Sequence, residues 1–139
     1  MRLPAHAYVP GRNERHPEGT FDAIRETAAP GMDAEALACS DAFRHGLRYI
    51  ESGHYWEAHE VLEPVWMALP EGGNRDFVQG LIQLANGLLK LRMERPRAAL
   101  RLAKIARDLM PDTETAMGVP VGMIHDRIDT LERVAKNAS

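Results

Sequence analysis

One short segment, His59-Glu60-Val61-Leu62-Glu63, carries the side chains best suited to chemistry. His59 and Glu63 are four positions apart, so on a helix they lie on the same face, one turn from each other. Zinc peptidase helices use the same spacing for their two metal-binding histidines, and here a glutamate replaces the second one. This pattern suggests a divalent metal such as zinc, with His59 and Glu63 as ligands and Glu60 as the catalytic base of a hydrolase.

A catalytic zinc site needs a third protein ligand and an open position for water. His6, His16, His54 and Gln83 are all candidates for the third ligand, and the sequence does not choose between them. The cofactor therefore stays open, and so does the question of whether the chain is an enzyme.

The helix that carries this segment is predicted from about His54 to Leu69, between breaks at Gly53 and at residues 70–73. One face is apolar and typical of a core contact. The opposite face aligns Trp56, His59, Glu60, Glu63 and Met67, with Trp66 at its border. A plain surface helix would not place tryptophan and methionine beside histidine and carboxylates, so we expect this face to be covered as well.

The next helix, predicted from about Asn74 to Met93, carries a narrow polar stripe between apolar flanks. The stripe consists of Gln79, Gln83, Asn86 and Lys90, and Gly80 and Gly87 beside it permit a close approach of backbones. Buried amides need partners, because an unpaired one costs about 1–3 kcal/mol. We therefore expect a partly buried pocket between the two helices, with Trp56, Trp66, Gln79, Gln83 and Asn86 as its wall.

A second interpretation of the same cluster is structural. Histidine, carboxylates and amides can form a closed hydrogen-bond network that only fixes the register of two helices. The chain would then be a non-catalytic module that binds a small molecule, a peptide or a second copy of itself as a homodimer. Glu57 is interpreted here as no more than the third helical position after an N-terminal cap.

Pro64 lies inside the predicted helix, where it removes one backbone donor. The expected consequence is a kink and a Glu60 carbonyl that is free to accept a hydrogen bond from another part of the chain.

The hydrophobic periodicity predicts an all-α fold, a compact bundle of about five to six helices built from two antiparallel hairpins, without strands. Residues 1–17, which contain three prolines and no helical period, are predicted as an extended N-terminal arm, and residues 18–139 as a single helical domain. Two further helices are predicted in the first part of this domain, from about residue 17 to 28 and from Asp33 to Ser52. The arm either folds over the pocket, bringing His6, Tyr8, Arg12 or His16 to it, or is a disordered tail.

Composition excludes several classes of function. The net charge of −3 gives no reason to expect nucleic acid as a partner, and no segment is long and apolar enough for a membrane span. The beginning of the chain lacks the apolar core of a secretory signal, and Cys39 is the single cysteine, so a cytoplasmic location is expected. Cys39 itself is expected to be a small core residue.

The chain resembles a bacterial and archaeal family known as domain of unknown function number 309. The resemblance is carried by residues 53–63 (Gly-His-Tyr-Trp-Glu-Ala-His-Glu-Val-Leu-Glu), by Trp66 and by residues 79–85 (Gln-Gly-Leu-Ile-Gln-Leu-Ala), and it covers about residues 40–110. It implies a compact multihelical fold but no particular activity. It also implies that the family-signature positions are His59, Glu60, Glu63, Trp66, Gln79 and Gln83. The turn that usually has Gly-Asn in that family departs from the pattern here, with residues 92–96 reading Arg-Met-Glu-Arg-Pro.

Overall fold

The computed structural model describes residues 2–139, and over this range the chain folds into seven helices and one very short pair of strands. The helices are α1 (Asp22–Arg25), α2 (Ala34–Ala38), α3 (Asp41–Ser52), α4 (Tyr55–Ala68), α5 (Gly73–Arg92), α6 (Pro96–Leu109) and α7 (Val121–Ala138). The predicted all-α class is confirmed. The bounds of α4 and α5 lie within one residue of the predicted ones.

The beginning of the domain differs from the prediction. The segment from Pro17 to Thr20 forms turns, and α1 starts only at Asp22. The long helix expected from Asp33 to Ser52 is broken into α2 and α3, because the Ser40 side chain accepts a hydrogen bond from the Phe43 amide and so begins a new helix. The break also places Cys39 at the surface, which overturns its expected position in the core.

A two-residue antiparallel ladder, β1 (Thr115–Ala116) with β2 (Val119–Pro120), contradicts the expectation of no strands. Met117 and Gly118 join the strands with positive φ angles of 51° and 74°, the backbone of a tight two-residue hairpin turn. Each strand has only two residues, too few for an alternating hydrophobic pattern to be recognised in the sequence.

Each of the helices α3 to α6 packs on the next helix in the chain, and small residues set how closely they approach. Gly80 faces α6, where a Cβ at this position would lie 3.4 Å from the Ala106 carbonyl oxygen, and Gly87 faces Ala99 and Leu131. The predicted role of these two glycines is confirmed. Gln79 and Gln83 of the polar stripe lie on another side of α5 and line a pocket together with residues of α4.

The turn at residues 92–96, which departs from the family pattern, still has a backbone conformation that glycine favours. Glu94 adopts a φ of 60°, in the left-handed region that is costly for a residue with a Cβ. No helix in residues 2–139 has both the length and the apolar character required to cross a membrane.

Candidate functional site

A pocket of about 240 Å³ lies between α4 and α5 at the position predicted for the polar cluster. We call it the α4–α5 pocket. Its lining residues are His59, Glu63, Trp66, Met67, Gln79, Ile82 and Gln83. His59 Nε2 is 3.4 Å from Glu63 Oε2, and the two side chains are 31% and 41% exposed, so the pair is half-buried and within reach of a ligand.

Three of the predicted site residues lie elsewhere. Glu60 and Trp56 line a different pocket, described below, and Asn86 lines neither of the two. The reason is geometric: Glu60 follows His59 by one position and is turned about 100° away on the helix, toward α1. Glu60 therefore stands beside the proposed metal ligands without sharing their cavity.

The donor set for a metal ion is incomplete. Among the four residues considered as a third ligand, Gln83 alone lines the α4–α5 pocket with His59 and Glu63. Residues 2–139 contain no group of three or more His, Cys, Asp and Glu side chains arranged to hold a metal ion. Two strong ligands and one amide fall short of what catalytic zinc requires.

The pocket is also poor in internal hydrogen bonds. Within the described part of the chain, the side chains of Gln79, Gln83 and Asn86 form none, and the Trp66 indole Nε1 is buried without a partner. Arg75 packs its guanidinium over the Trp66 ring at 4.2 Å and donates from Nε to the Trp66 carbonyl oxygen at 3.2 Å, so this ring is held in place. The indole nitrogen is enclosed by protein atoms, so the Gln79 and Gln83 amides are the polar groups that a ligand in the pocket could reach.

Arg25, which the sequence analysis did not single out, anchors the other side of the cluster. One of its nitrogens donates to the Glu60 carbonyl oxygen, and its guanidinium lies 3.7 Å from the Glu60 carboxylate and 3.6 Å from that of Glu63. The acceptor is the carbonyl that Pro64 was predicted to leave free, and this prediction is confirmed. Pro64 indicated that the Glu60 carbonyl needs a donor from another part of the chain, but it did not identify that donor.

Glu57 is the largest correction to the sequence analysis. Its side chain has no exposed surface, and Oε2 accepts hydrogen bonds from His16 Nε2 at 2.5 Å and from the Tyr8 amide at 2.8 Å. Oε1 is buried without a partner. Glu57 is the third helical position after His54, as predicted, but its side chain binds the arm instead of the cap. The signal was present in the sequence, since Glu57, Val61 and Val65 follow one another at four-residue spacing along the buried face of α4.

The arm packs onto α4 at this carboxylate, so neither predicted state is found: the arm is folded against the domain, but not over the α4–α5 pocket. The His16 ring stacks on His6 at 4.3 Å and meets the edge of Phe21 at 5.1 Å, and Tyr8 packs against Trp56 at 5.2 Å. A second cavity of about 600 Å³, which we call the arm pocket, lies between residues 15–22 of this segment and Arg25, Trp56 and Glu60.

Two groups near Glu57, Tyr49 and His54, have shifted pKa values. Burial raises the pKa of Tyr49, and the negative charge of Glu57 raises it further. Burial lowers the pKa of His54, and Arg92 and His16 act in the same direction, against the opposite effect of Glu57 and of a hydrogen bond with Ser52. The neutral forms of both side chains are thus favoured in the folded protein.

The comparison with known proteins finds a family profile that matches the part of the chain carrying the α4–α5 pocket. The family profile described as Domain of unknown function (DUF309) matches residues 43–102, from Phe43 in α3 to Leu102 in α6. A search of curated proteins and a search of solved structures each find no match to the chain. The match includes the whole α4–α5 pocket and Glu57, whereas His16 and the rest of the arm lie outside it. The resemblance is thereby confirmed over residues 43–102, which match the DUF309 profile.

Proposed function

We propose that the chain binds a small planar organic molecule in the α4–α5 pocket, through hydrogen bonds to its edge. The observation that carries the proposal is a pocket lined by the Trp66 ring and by the amides of Gln79 and Gln83, which form no hydrogen bond within residues 2–139. A volume of about 240 Å³ suits a single ring or an amide rather than a large cofactor.

The lining supports this class of ligand. The Trp66 ring and the Met67 and Ile82 side chains supply apolar and polarisable surface on which a flat molecule can lie. Gln79 and Gln83 each offer one acceptor and two donors, which matches the paired donor and acceptor edge of an amide or a nitrogen heterocycle. Arg25 is placed to offset part of the negative charge of Glu63, so the pocket does not strongly demand a cation.

His59 and Glu63 give the pocket a possible chemical role. The imidazole and the carboxylate, 3.4 Å apart, can accept and return a proton of the bound molecule without a metal ion. A zinc-dependent hydrolase with Glu60 as base is not part of this proposal, since the donor set is one ligand short and Glu60 lines the other pocket. The cytoplasmic location and the homodimer remain predictions.

Nuclear magnetic resonance with ¹⁵N-labelled protein tests the proposal. A library of small heterocycles and primary amides is titrated, and the Trp66 indole and the Gln79 and Gln83 side-chain amides serve as reporters inside the pocket. We expect at least one compound to shift these three signals together and saturably. Gln83→Ala should weaken its binding about tenfold, which corresponds to about 1.4 kcal/mol for a lost hydrogen-bonding group.

The matched control is Asn86→Ala, which removes an amide from the same polar stripe outside the pocket and should leave binding unchanged. If no compound moves the three reporters, or if Asn86→Ala weakens binding as much as Gln83→Ala does, the pocket is not the binding site. A closed structural network would then be the better interpretation of the cluster.

A further inference from the structure

We propose that the arm pocket is a second, separate binding site and that its ligand is a zwitterion of the amino-acid type, with a carboxylate and an ammonium group. The pocket is distinct from the α4–α5 pocket, with which it shares no lining residue. The proposal rests on a histidine oriented by a buried carboxylate, on charges of both signs around the cavity and on an aromatic wall.

The histidine is His16, which is only 5% exposed and is held by Glu57 through Nε2. A carboxylate accepts a hydrogen bond, so Nε2 carries a proton and Nδ1 is the ring nitrogen left to contact a ligand. Nδ1 forms no hydrogen bond within residues 2–139, yet it is not one of the buried unpartnered atoms, so it keeps access to its surroundings. His16 lines the arm pocket, and Nδ1 is the acceptor we assign to a ligand N–H.

Two arginines can hold a carboxylate. Arg15 lines the pocket and makes no ion pair in the described part of the chain. Arg25 donates to the Glu60 carbonyl and lies 3.6–3.7 Å from two carboxylates, farther than the usual length of about 2.7–2.9 Å for a charge-assisted hydrogen bond. A guanidinium has five N–H donors, so Arg25 retains donors for a ligand.

The remaining lining argues against a simple anion. Glu18, Asp22 and Glu60 also border the cavity, so a purely negative ligand would meet repulsion as well as attraction. A molecule with both charges can pair with the basic and with the acidic side chains. Its carboxylate would lie at the arginines, and its ammonium group at the acids and at His16 Nδ1. Trp56 and Phe21 add a wall on which an apolar or aromatic side chain can pack.

Tryptophan fluorescence tests this site. The chain has two tryptophans, so Trp66→Phe leaves Trp56, on the wall of the arm pocket, as the single reporter. L-Phenylalanine is the probe, compared with L-phenylalaninamide, which lacks the carboxylate, and N-acetyl-L-phenylalanine, which lacks the ammonium group. We expect saturable binding of L-phenylalanine in the millimolar range or tighter and binding about tenfold weaker, or more, for each capped form.

Two variants locate the binding. His16→Gln and Arg15→Gln should each weaken L-phenylalanine binding about tenfold, and Arg15→Gln should not change the binding of the amide. His125→Gln, on α7 and outside the arm pocket, is the control and should bind as the parent protein does. The proposal is overturned if L-phenylalanine does not bind, if the three compounds bind equally, or if His16→Gln and Arg15→Gln, shown to be folded by circular dichroism, bind as the parent does.

Discussion

A carboxylate without any exposed surface must be matched by hydrogen bonds, since taking an ion out of water costs several kcal/mol. Glu57 meets this requirement on one oxygen only, where the His16 ring and the Tyr8 amide converge. Around it, Tyr49 and His54 are both held toward their neutral forms. The first turn of α4 thus holds a buried carboxylate among groups whose neutral forms are favoured.

The lowered pKa of His54 gives a prediction for acid stability. Below the ordinary value of 6.5, the unfolded chain takes up a proton at His54 more readily than the folded chain does. Protonation therefore favours unfolding, and the contribution of neutral His54 to stability is lost as the pH falls through its folded-state pKa. Because the side chain is half-exposed, the effect should be below about 1 kcal/mol.

Urea unfolding at several pH values between about 8 and 5 measures this effect. The free energy of unfolding of His54→Gln should decrease less on acidification than that of the parent protein. Equal decreases in the two proteins would show that His54 does not contribute. The pH-independent cost of losing the Ser52–His54 hydrogen bond cancels when the two slopes are compared.

At the scale of the elements, α4 is the helix that positions both pockets, and three contacts hold it. Its apolar face packs in the core, its Pro64 leaves a carbonyl that Arg25 satisfies, and Leu62 fits against Gly46 of α3. The last contact is the closest, because a Cβ placed on Gly46 would lie 2.5 Å from Leu62 Cγ, the branching carbon of that side chain. Glycine is needed there for proximity, not for an unusual backbone angle.

Substituting Gly46 tests this packing. Gly46→Ala should lower the free energy of unfolding by about 1–3 kcal/mol, because Leu62 or the whole of α4 must move to make room. Gly122→Ala is the matched control in α7: its Cβ would meet nothing within 4 Å, so it should be neutral or stabilise by up to about 1 kcal/mol. Chemical denaturation of both variants provides the comparison. Equal effects in the two variants would mean that α3 and α4 are not in this close contact.

At the scale of the whole molecule, the arm is a part of the folded structure that is tied down at widely separated points. Tyr8 and His16 bind Glu57, and Arg12 forms an exposed ion pair with Glu94 at the turn before α6. The two attachments differ in strength, because buried hydrogen bonds to a charged group outweigh an exposed ion pair, which contributes about 0–1 kcal/mol.

Limited proteolysis distinguishes the two attachments. Glu57→Ala should weaken the docking of the arm by about 1–3 kcal/mol and so accelerate trypsin cleavage after Arg12 and Arg15. Glu94→Ala removes the exposed pair with Arg12 and should change the cleavage rate little. If the two variants are cleaved equally fast, Glu57 does not anchor the arm.

The sequence by itself determined the helices of the core and the meeting of His59, Glu63, Trp66, Gln79 and Gln83 around one pocket. Helical periodicity fixes which side chains share a face, and the short turn between α4 and α5 brings the polar faces of the two helices together. Even the free Glu60 carbonyl follows from Pro64, since a proline removes a donor at a known distance along the helix.

Only the tertiary structure decided which residues from the beginning of the chain contact Glu57 and Glu60 on α4. His16 reaches Glu57 across 41 positions and Arg25 reaches the Glu60 carbonyl across 35. Helical periodicity cannot predict such pairs. They depend on how the chain between the two residues closes into a loop, and on whether the contacts formed offset the loss of chain entropy. For the same reason Glu60 and Trp56 belong to a second pocket: a helix sets the direction of a side chain, whereas the partner in that direction is chosen by the fold.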